Sequence, residues 1–510
     1  MKKVLIIAAI VIGVLAALAV AGFYAVTSGI VAGDPFAPLY ADNCAVCHGE
    51  SFEGGAQGPA LVGRELQHGD SVTDIAASIA NGFPDRGMPG WSGTFDDGQI
   101  RSLAIYVAER RVDRVFTDFK TDQPLVIPTE PIETELARFR IETVATGIAK
   151  KPFSIAPLPD GNLLLTEKLE GLSIVSPGGE RSMISGTPAT GTAGVEVMGL
   201  DYGLGWLLDV KPHPNYAENG WIYLLHTHLC ESCGADGEGN SLIPRTMTRL
   251  IRGRIHDGAW QDEEVLWSVP AAYYTTMPDI GAGGRLTFDP AGYVFFSIGI
   301  KGGYFERIQD LSTPYGKIHR IFDDGRIPDD NPFTNRGDAM ASIWTYGHRS
   351  PQGLEFDPRT GKLWGSEMGP RGGDEINLLL PGRNYGWPLY SKGVDYDGTP
   401  VEYWKDLGIE FDLEDIEQPV VDLTPSPAVS SFVIYDGAAF PAWGGQFLVG
   451  SLKATELYRV VIDNDKHVYT ELLLEDLARI RDVETDADGL VYLLLEHGTG
   501  SQIIRLVPDR

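Results

Sequence analysis

The run Cys44-Ala45-Val46-Cys47-His48 places two thiols three residues apart with an imidazole directly after them. That spacing suits covalent haem attachment: the thiols add to the two vinyl groups and the histidine ligates the iron. Histidine fills one axial position, and Met/His ligation is the usual arrangement in an electron-transfer cytochrome. Met88, in Arg86-Gly87-Met88-Pro89-Gly90, is the one methionine between the motif and Arg111, and His68 is its rival. Cys44 and Cys47 are therefore read as the thioether sites of a haem c, with His48 and Met88 as iron ligands. A zinc site or a disulfide is the competing use of such a pair.

A second pair, Cys230-Glu231-Ser232-Cys233, follows Leu225-His226-Thr227-His228-Leu229. On a strand, His226, His228 and Cys230 would share a face. A disulfide, a metal site and a redox pair all remain open there, and no function attaches to it.

The elements that position these groups follow from the rest of the chain. Its 510 residues are 43% hydrophobic and 10% aromatic, enough for several cores, and 61 glycines favour short strands joined by turns. Net charge is −29, with 70 acidic against 41 basic residues, which excludes nucleic acid as a partner. Met1-Lys2-Lys3 precedes an uncharged apolar run to about Ser28. That run is long enough to span a bilayer as a helix, so residues 1–30 are read as an uncleaved N-terminal transmembrane anchor, a removed signal being the alternative. Either way Lys2 and Lys3 stay cytoplasmic and the remainder is exported. The expected location is the bacterial cytoplasmic membrane, with the domains on the periplasmic side, where c-type haem is attached.

Residues 34–111 read as a small all-α cytochrome c domain. A helix through Pro38–Asn43 leads into the haem motif, and Asp96-Asp97-Gly98-Gln99-Ile100 opens a last helix with an apolar face at Ile100, Leu103, Ile105 and Val107. Residues 112–135, with Pro124, Pro128 and Pro131, read as a semi-extended linker. Beyond it a turn followed by a short apolar run recurs six times. The copies are Pro159-Asp160-Gly161, His213-Pro214-Asn215, Asp289-Pro290-Ala291-Gly292, Asp357-Pro358, Phe440-Pro441-Ala442-Trp443-Gly444 and Asp486-Ala487-Asp488-Gly489. Six blade-sized units predict an all-β six-bladed propeller over 136–510; a generic β-sandwich is too small for this length.

From about Phe139 to Val507 the sequence resembles the soluble quinoprotein glucose/sorbosone dehydrogenases. The resemblance is carried by Gly283-Gly284-Arg285-Leu286, Gly347-His348-Arg349-Ser350-Pro351-Gln352-Gly353 and Gly369-Pro370-Arg371-Gly372-Gly373-Asp374-Glu375-Ile376. Asn384-Tyr385-Gly386-Trp387-Pro388, Ser451-Leu452-Lys453 and Arg479-Ile480-Arg481-Asp482-Val483 complete it. It implies pyrroloquinoline quinone (PQQ) held with Ca²⁺ at the mouth of the propeller, and an aldose or related alcohol as substrate. Arg349, Lys453, Arg479 and Arg481 would hold the cofactor's carboxylates and polarise the quinone, with Gln352 beside them. Backbone carbonyls of Gly369 and Pro370 would take the Ca²⁺ bound with PQQ, and Asp374 and Glu375 a structural Ca²⁺. On the haem side, Gly58-Pro59-Ala60-Leu61 resembles the cytochrome stretch that offers a carbonyl to the proximal histidine's other nitrogen.

The resemblance breaks at the proton acceptor. The family's catalytic histidine falls here on Gly281, and the aspartate that orients it on Ile300. Asp279 is the nearest substitute as general base, and Lys301 a poorer one. The reading is a membrane-anchored quinohaemoprotein that passes electrons from substrate through PQQ to its own haem, and on to a respiratory acceptor. The alternative is a non-catalytic or altered-substrate ligand-binding propeller tethered to an electron-transfer cytochrome.

Overall fold

The computed structural model describes Asp34 and residues 36–112, 124–197, 200–230, 233, 245–277, 279–301 and 305–509. The expected anchor (1–30) and residues 113–123 of the expected linker lie outside these. Among the described residues no helix is long and apolar enough to cross a membrane. The chain forms two compact units: a helical one up to Asp113 that also takes in Gly393–Pro400, and a β unit made of the rest.

The helical unit holds α1 (Phe36–Asn43), α2 (Ala45–His48), α3 (Val72–Asn81) and α4 (Asp97–Arg111). The Ser71 hydroxyl caps α3 by accepting the Asp74 N–H at 3.1 Å. Asp96 and Gln99 form a reciprocal capping box on α4, which satisfies two of the free N–H groups at its start. Tyr40, Phe52 and Tyr106 pack ring to ring at the centre of the unit. The expected single apolar face of α4 is too narrow: every residue from Ser102 to Glu109 is buried. The covering segment is Gly393–Pro400, a stretch expected to belong to the propeller. Val394 joins the helical core, and the Ser102 hydroxyl donates to the Gly398 carbonyl at 2.6 Å. Gly398 lies at φ +84°, and a Cβ there would stand 1.8 Å from the Phe36 ring, so glycine is required.

The β unit is built on six inner strands: β1 (Pro152–Pro157), β2 (Leu207–Pro212), β3 (Gly283–Phe288), β4 (Pro351–Asp357), β5 (Val429–Ile434) and β6 (Arg479–Thr485). Each begins its own antiparallel sheet, four strands deep in the first five. Consecutive inner strands touch, and β6 returns to β1, so the sheets close a ring about one axis. That is a six-bladed propeller, and the ring rules out a sandwich. All six recurring turns fall between an inner strand and the second strand of its sheet, as in Leu163–Glu167 or Val491–Glu496. The sixth sheet joins both ends of the unit: Arg138–Ile148 pairs with Ser501–Pro508 in the register Ile141↔Leu506. Ile132–Glu133, placed in the linker by sequence, is the outermost strand of that sheet.

Arg285 fastens the inner ring. Its guanidinium pairs with Asp482 at 2.7 Å, and it donates to the carbonyls of Gln352, Arg481 and Phe153. Asp482 accepts the Ile155 N–H and Asp209 accepts the Leu286 N–H, so β1, β2, β3, β4 and β6 are stitched through one buried network.

Candidate active site and haem pocket

In each antiparallel blade, the start of the inner strand and the end of the second strand lie at the same edge. Arg349, Arg479, Arg481 and Gly281 stand at starts; Gly369, Lys453 and Ile300 stand just after second strands. Every residue singled out in the propeller therefore gathers at one mouth of the ring, although the motifs are spread over about 200 positions.

Within that mouth Arg479 and Arg481 share the Glu496 carboxylate, each with a bond of 2.8 Å. Burial alone would raise Glu496, but Arg481, Arg479 and Lys168 hold it well below the usual carboxylate range. Arg349 donates to the carbonyls of Met368 (3.1 Å) and Gly369 (2.8 Å), and its backbone N–H donates to Glu367. Its guanidinium lies 5.2 Å from the Trp387 ring. Gln352 donates to the Ser350 hydroxyl at 2.9 Å. Lys453 follows the strand Phe447–Ser451, its N–H bonded to the Pro427 carbonyl. Sequence reasoning missed Lys168, Glu367 and Glu496, and held Trp387 only as part of a motif without a role. Their signal was positional, since Lys168, Glu367 and Glu496 close or follow second strands.

A small recess beside Arg349 is lined by Glu367, Glu375, Met368, Gly369 and Trp387. The buried Trp387 indole N–H has no partner there. Guanidinium, an unmet donor and carboxylates on one wall suit a ligand carrying both acceptor and cationic character, as a carboxylate-bearing quinone with its cation would. The oxygen donors match a hard cation, yet the Gly369 carbonyl called for Ca²⁺ accepts from Arg349, which would have to yield. Nothing in the geometry singles out the Pro370 carbonyl.

The acidic pair separates. Asp374 is buried, and its carboxylate accepts the N–H groups of Gly369 (3.0 Å) and Val429 (2.7 Å). These bonds stitch the fourth blade to the fifth. Glu375 faces the recess, pushed up to about 8 by burial and then by the Glu367 carboxylate. Among the described residues no three His, Cys, Asp or Glu side chains cluster as a metal site.

Asp279 needs correction. It is fully buried, and its two oxygens accept from the Gly205 N–H (2.9 Å), Thr227 (2.5 Å), Thr246 (2.7 Å) and the Lys301 ammonium (2.9 Å). Four donors fill the four acceptor positions of a carboxylate, leaving none for a substrate proton. Lys301 is equally buried in the same pair. At Gly281 the backbone lies at φ +72°, and a Cβ there would meet the Ile300 side chain at 3.1 Å.

In the helical unit, Cys44 and Cys47 are not bonded to each other. The His48 Nδ1 lies 2.9 Å from the Pro59 carbonyl, so that nitrogen carries the proton and Nε2 is free for iron. The expected loop supplies this contact. Met88 is half-buried and pairs through its backbone with Phe83, while the His68 ring stacks on Phe83 at 4.2 Å. The residues fit covalent haem. At the second thiol pair, Cys230 and Cys233 form a disulfide, which removes the thiolates a metal would need. His226 and His228 are pushed down to about 3 and about 4, chiefly by burial.

Comparison with known proteins agrees with this arrangement. The Glucose / Sorbosone dehydrogenase family model matches residues 149–505. The chain belongs to the glucose/sorbosone dehydrogenase family. A second model, cytochrome c oxidase, cbb3-type, subunit III, matches residues 32–107, so a cytochrome c domain precedes the family's propeller. The aldose sugar dehydrogenase YliI of Escherichia coli (strain K12) is 34% identical over 395 residues, covering 76% of this chain and 97% of its own. Quinoprotein glucose dehydrogenase B of Acinetobacter calcoaceticus is 28% identical, covering 74% and 90%. The apo crystal structure of the soluble E. coli aldose sugar dehydrogenase superposes with a TM-score of 0.60 at 31% identity, covering 73% and 100%.

Proposed function

We propose that this protein is an extracytoplasmic quinohaemoprotein dehydrogenase, held at the membrane by its N-terminal segment. It would oxidise an aldose or related alcohol with PQQ and pass the electrons to its own haem c and then to a respiratory acceptor. The observation that carries the reading is the convergence of Arg349, Arg479 and Arg481 at the propeller mouth in a chain of net charge −29. The kinship with a protein named quinoprotein glucose dehydrogenase supports the cofactor.

When bound, the quinone supplies the two-electron acceptor and the haem a one-electron relay. Arg479 and Arg481 would hold its carboxylates in place of Glu496, and Arg349 with Lys453 would fix its orientation. Ca²⁺ would sit against the carbonyls of Gly369 and Pro370. Cys44 and Cys47 would hold the haem, with His48 and Met88 on its iron. Covalent fusion of the two domains raises the effective concentration of donor and acceptor.

A second reading, a propeller that binds its ligand without turnover, is favoured by the glycine at position 281 and by the committed Asp279. Adding PQQ and Ca²⁺ to purified haem-loaded protein, then a panel of aldoses, separates the two. Haem reduction that needs both quinone and sugar supports the enzyme, whereas quinone binding without reduction supports the binding module.

A further inference from the structure

The blade that begins with β2 carries a basic cluster that the quinone reading does not use. In its strands Ile222–Cys230 and Arg245–His256, His226 pairs with Arg249 and Cys230 pairs with Arg245. Directly paired residues, and those two apart on one strand, project to the same side of a sheet. His226, His228, Arg245 and Arg249 therefore share one face, at the mouth end of the blade's second strand. Tyr274 ties them together. Its hydroxyl accepts from the Arg249 guanidinium at 3.3 Å and lies 3.0 Å from the His228 Nδ1, and its carbonyl accepts from Arg245 at 3.5 Å. The His226 and His228 rings stand edge to face, 6.0 Å apart.

What the cluster lacks is a carboxylate. Arg252 and Arg254 of the same strand pair with Glu264 and Asp262, whereas among the described residues neither Arg245 nor Arg249 forms an ion pair. Three buried nitrogens there also have no partner among the described residues: the Nε of each arginine and the Nδ1 of His226, a residue only 3% exposed. Buried polar nitrogens are seldom left unmet, and two uncompensated guanidinium groups stand out in a chain of net charge −29. We propose that Arg245, Arg249 and His228 form a binding site for a compact oxyanion, a carboxylate or phosphate group, with the buried His226 behind them. Tyr274 is a positioning residue, holding one guanidinium through its hydroxyl and the other through its carbonyl. Burial first, then neighbouring positive charge, keeps both imidazoles neutral, so the two forked guanidinium groups supply the charge. On the dehydrogenase reading, on which this last step rests, an acidic sugar would be anchored here at the edge of the mouth.

Phenylglyoxal modification of the haem-loaded, quinone-free protein, mapped by peptide mass spectrometry, tests the site. Inorganic phosphate should slow the modification of Arg245 and Arg249 while the exposed Arg326 reacts as before. Unchanged rates at Arg245 and Arg249 overturn the proposal, as does equal protection by sodium chloride at the same ionic strength, which would be screening alone. In calorimetric titration with phosphate, R249Q should bind about tenfold more weakly or worse, and R249K should lie between it and the wild type. Undiminished binding in R245Q/R249Q also overturns the proposal, the arginines of the mouth then being the phosphate site.

Glucuronate and glucose 6-phosphate, with glucose as the uncharged control, separate the sources of the oxyanion in the same protection assay. Protection by an acidic sugar at lower concentration than by phosphate supports the site and assigns the group to a sugar. Protection by phosphate at the lower concentration supports it as a site for the free anion. Glucose protecting as well as glucuronate overturns the oxyanion assignment. None of these readouts needs quinone or turnover, so the site can fail while the dehydrogenase reading stands, and the reverse.

Discussion

Replacing Arg285 with methionine should unlock the inner ring, because so much buried charge depends on that one guanidinium. Arg285 is 3% exposed and pairs with Asp482, which is 0% exposed, at 2.7 Å. Asp209 lies 3.5 Å away, and Lys211, Glu355 and Glu484 line the same small recess. Without Arg285, four carboxylates share one lysine. Breaking a buried pair from one side costs about 3–5 kcal/mol, since the partner's charge stays desolvated and uncompensated. For a unit of this size that corresponds to a Tm lower by about 4–6 °C.

Neutralising the partner as well should recover much of the loss. In R285M/D482N the asparagine oxygen still accepts the Ile155 N–H, and the carboxylate that paired directly with Arg285 no longer carries an uncompensated charge. Acid should help too. Glu484 is pushed up to about 8, chiefly by burial, so its folded form binds a proton more readily than its unfolded form. The stability tied to that proton is fully present below the unfolded value and is lost as pH rises toward about 8. R285M should therefore be less impaired at pH 5 than at pH 8. Thermal unfolding followed by circular dichroism of the sheets, separately from the haem band, reads the effect. A loss under about 1 kcal/mol in R285M, or no recovery in the double variant, would refute the idea that Arg285 holds the ring by charge compensation.

Further outcomes follow from the other sites. D279N should destabilise the propeller by about 3–5 kcal/mol, because Lys301 loses its buried counter-charge; its thermal unfolding distinguishes this from a pure loss of turnover. E496Q should tighten PQQ binding in a fluorescence titration, since Arg479 and Arg481 no longer share a protein carboxylate, while lowering the Tm of the quinone-free protein. The depressed Glu496 contributes stability above the unfolded carboxylate range, and that contribution falls away as acid approaches its low folded value. C44S/C47S should leave no haem attached after denaturing electrophoresis, and Pro59, which anchors His48 through its carbonyl, should tolerate alanine with haem retained.

Local chemistry was the most legible part of the sequence. The haem motif, the Pro59 contact to His48 and the Asp96/Gln99 cap each depend on residues within a dozen positions of one another. The six turns were legible because each blade repeats the same hairpin, and the motifs of the mouth because they recur in the family. Long-range arrangement was not. Gly393–Pro400 covering α4 leaves no periodic trace in either segment, and Ile132–Glu133 becomes a strand only because Arg138–Phe139 offers it an edge. Asp279 reads as an available carboxylate until Thr227, Thr246, Gly205 and Lys301, from separate strands and loops, are folded around it. The Asp374 bonds were equally hidden, since its donors Gly369 and Val429 belong to different blades. Lys168 was invisible because nothing in Thr166-Glu167-Lys168 marks a buried amine.

Quinone-dependent reduction of the haem is the most direct test of the electron path from the propeller mouth to Cys44-Ala45-Val46-Cys47-His48. Oxidised protein mixed with PQQ and Ca²⁺ should keep its ferric spectrum until an aldose is added, then turn ferrous at a rate independent of protein concentration. A haem that stays ferric with every sugar while quinone is bound, or that is reduced equally well without quinone, would contradict it.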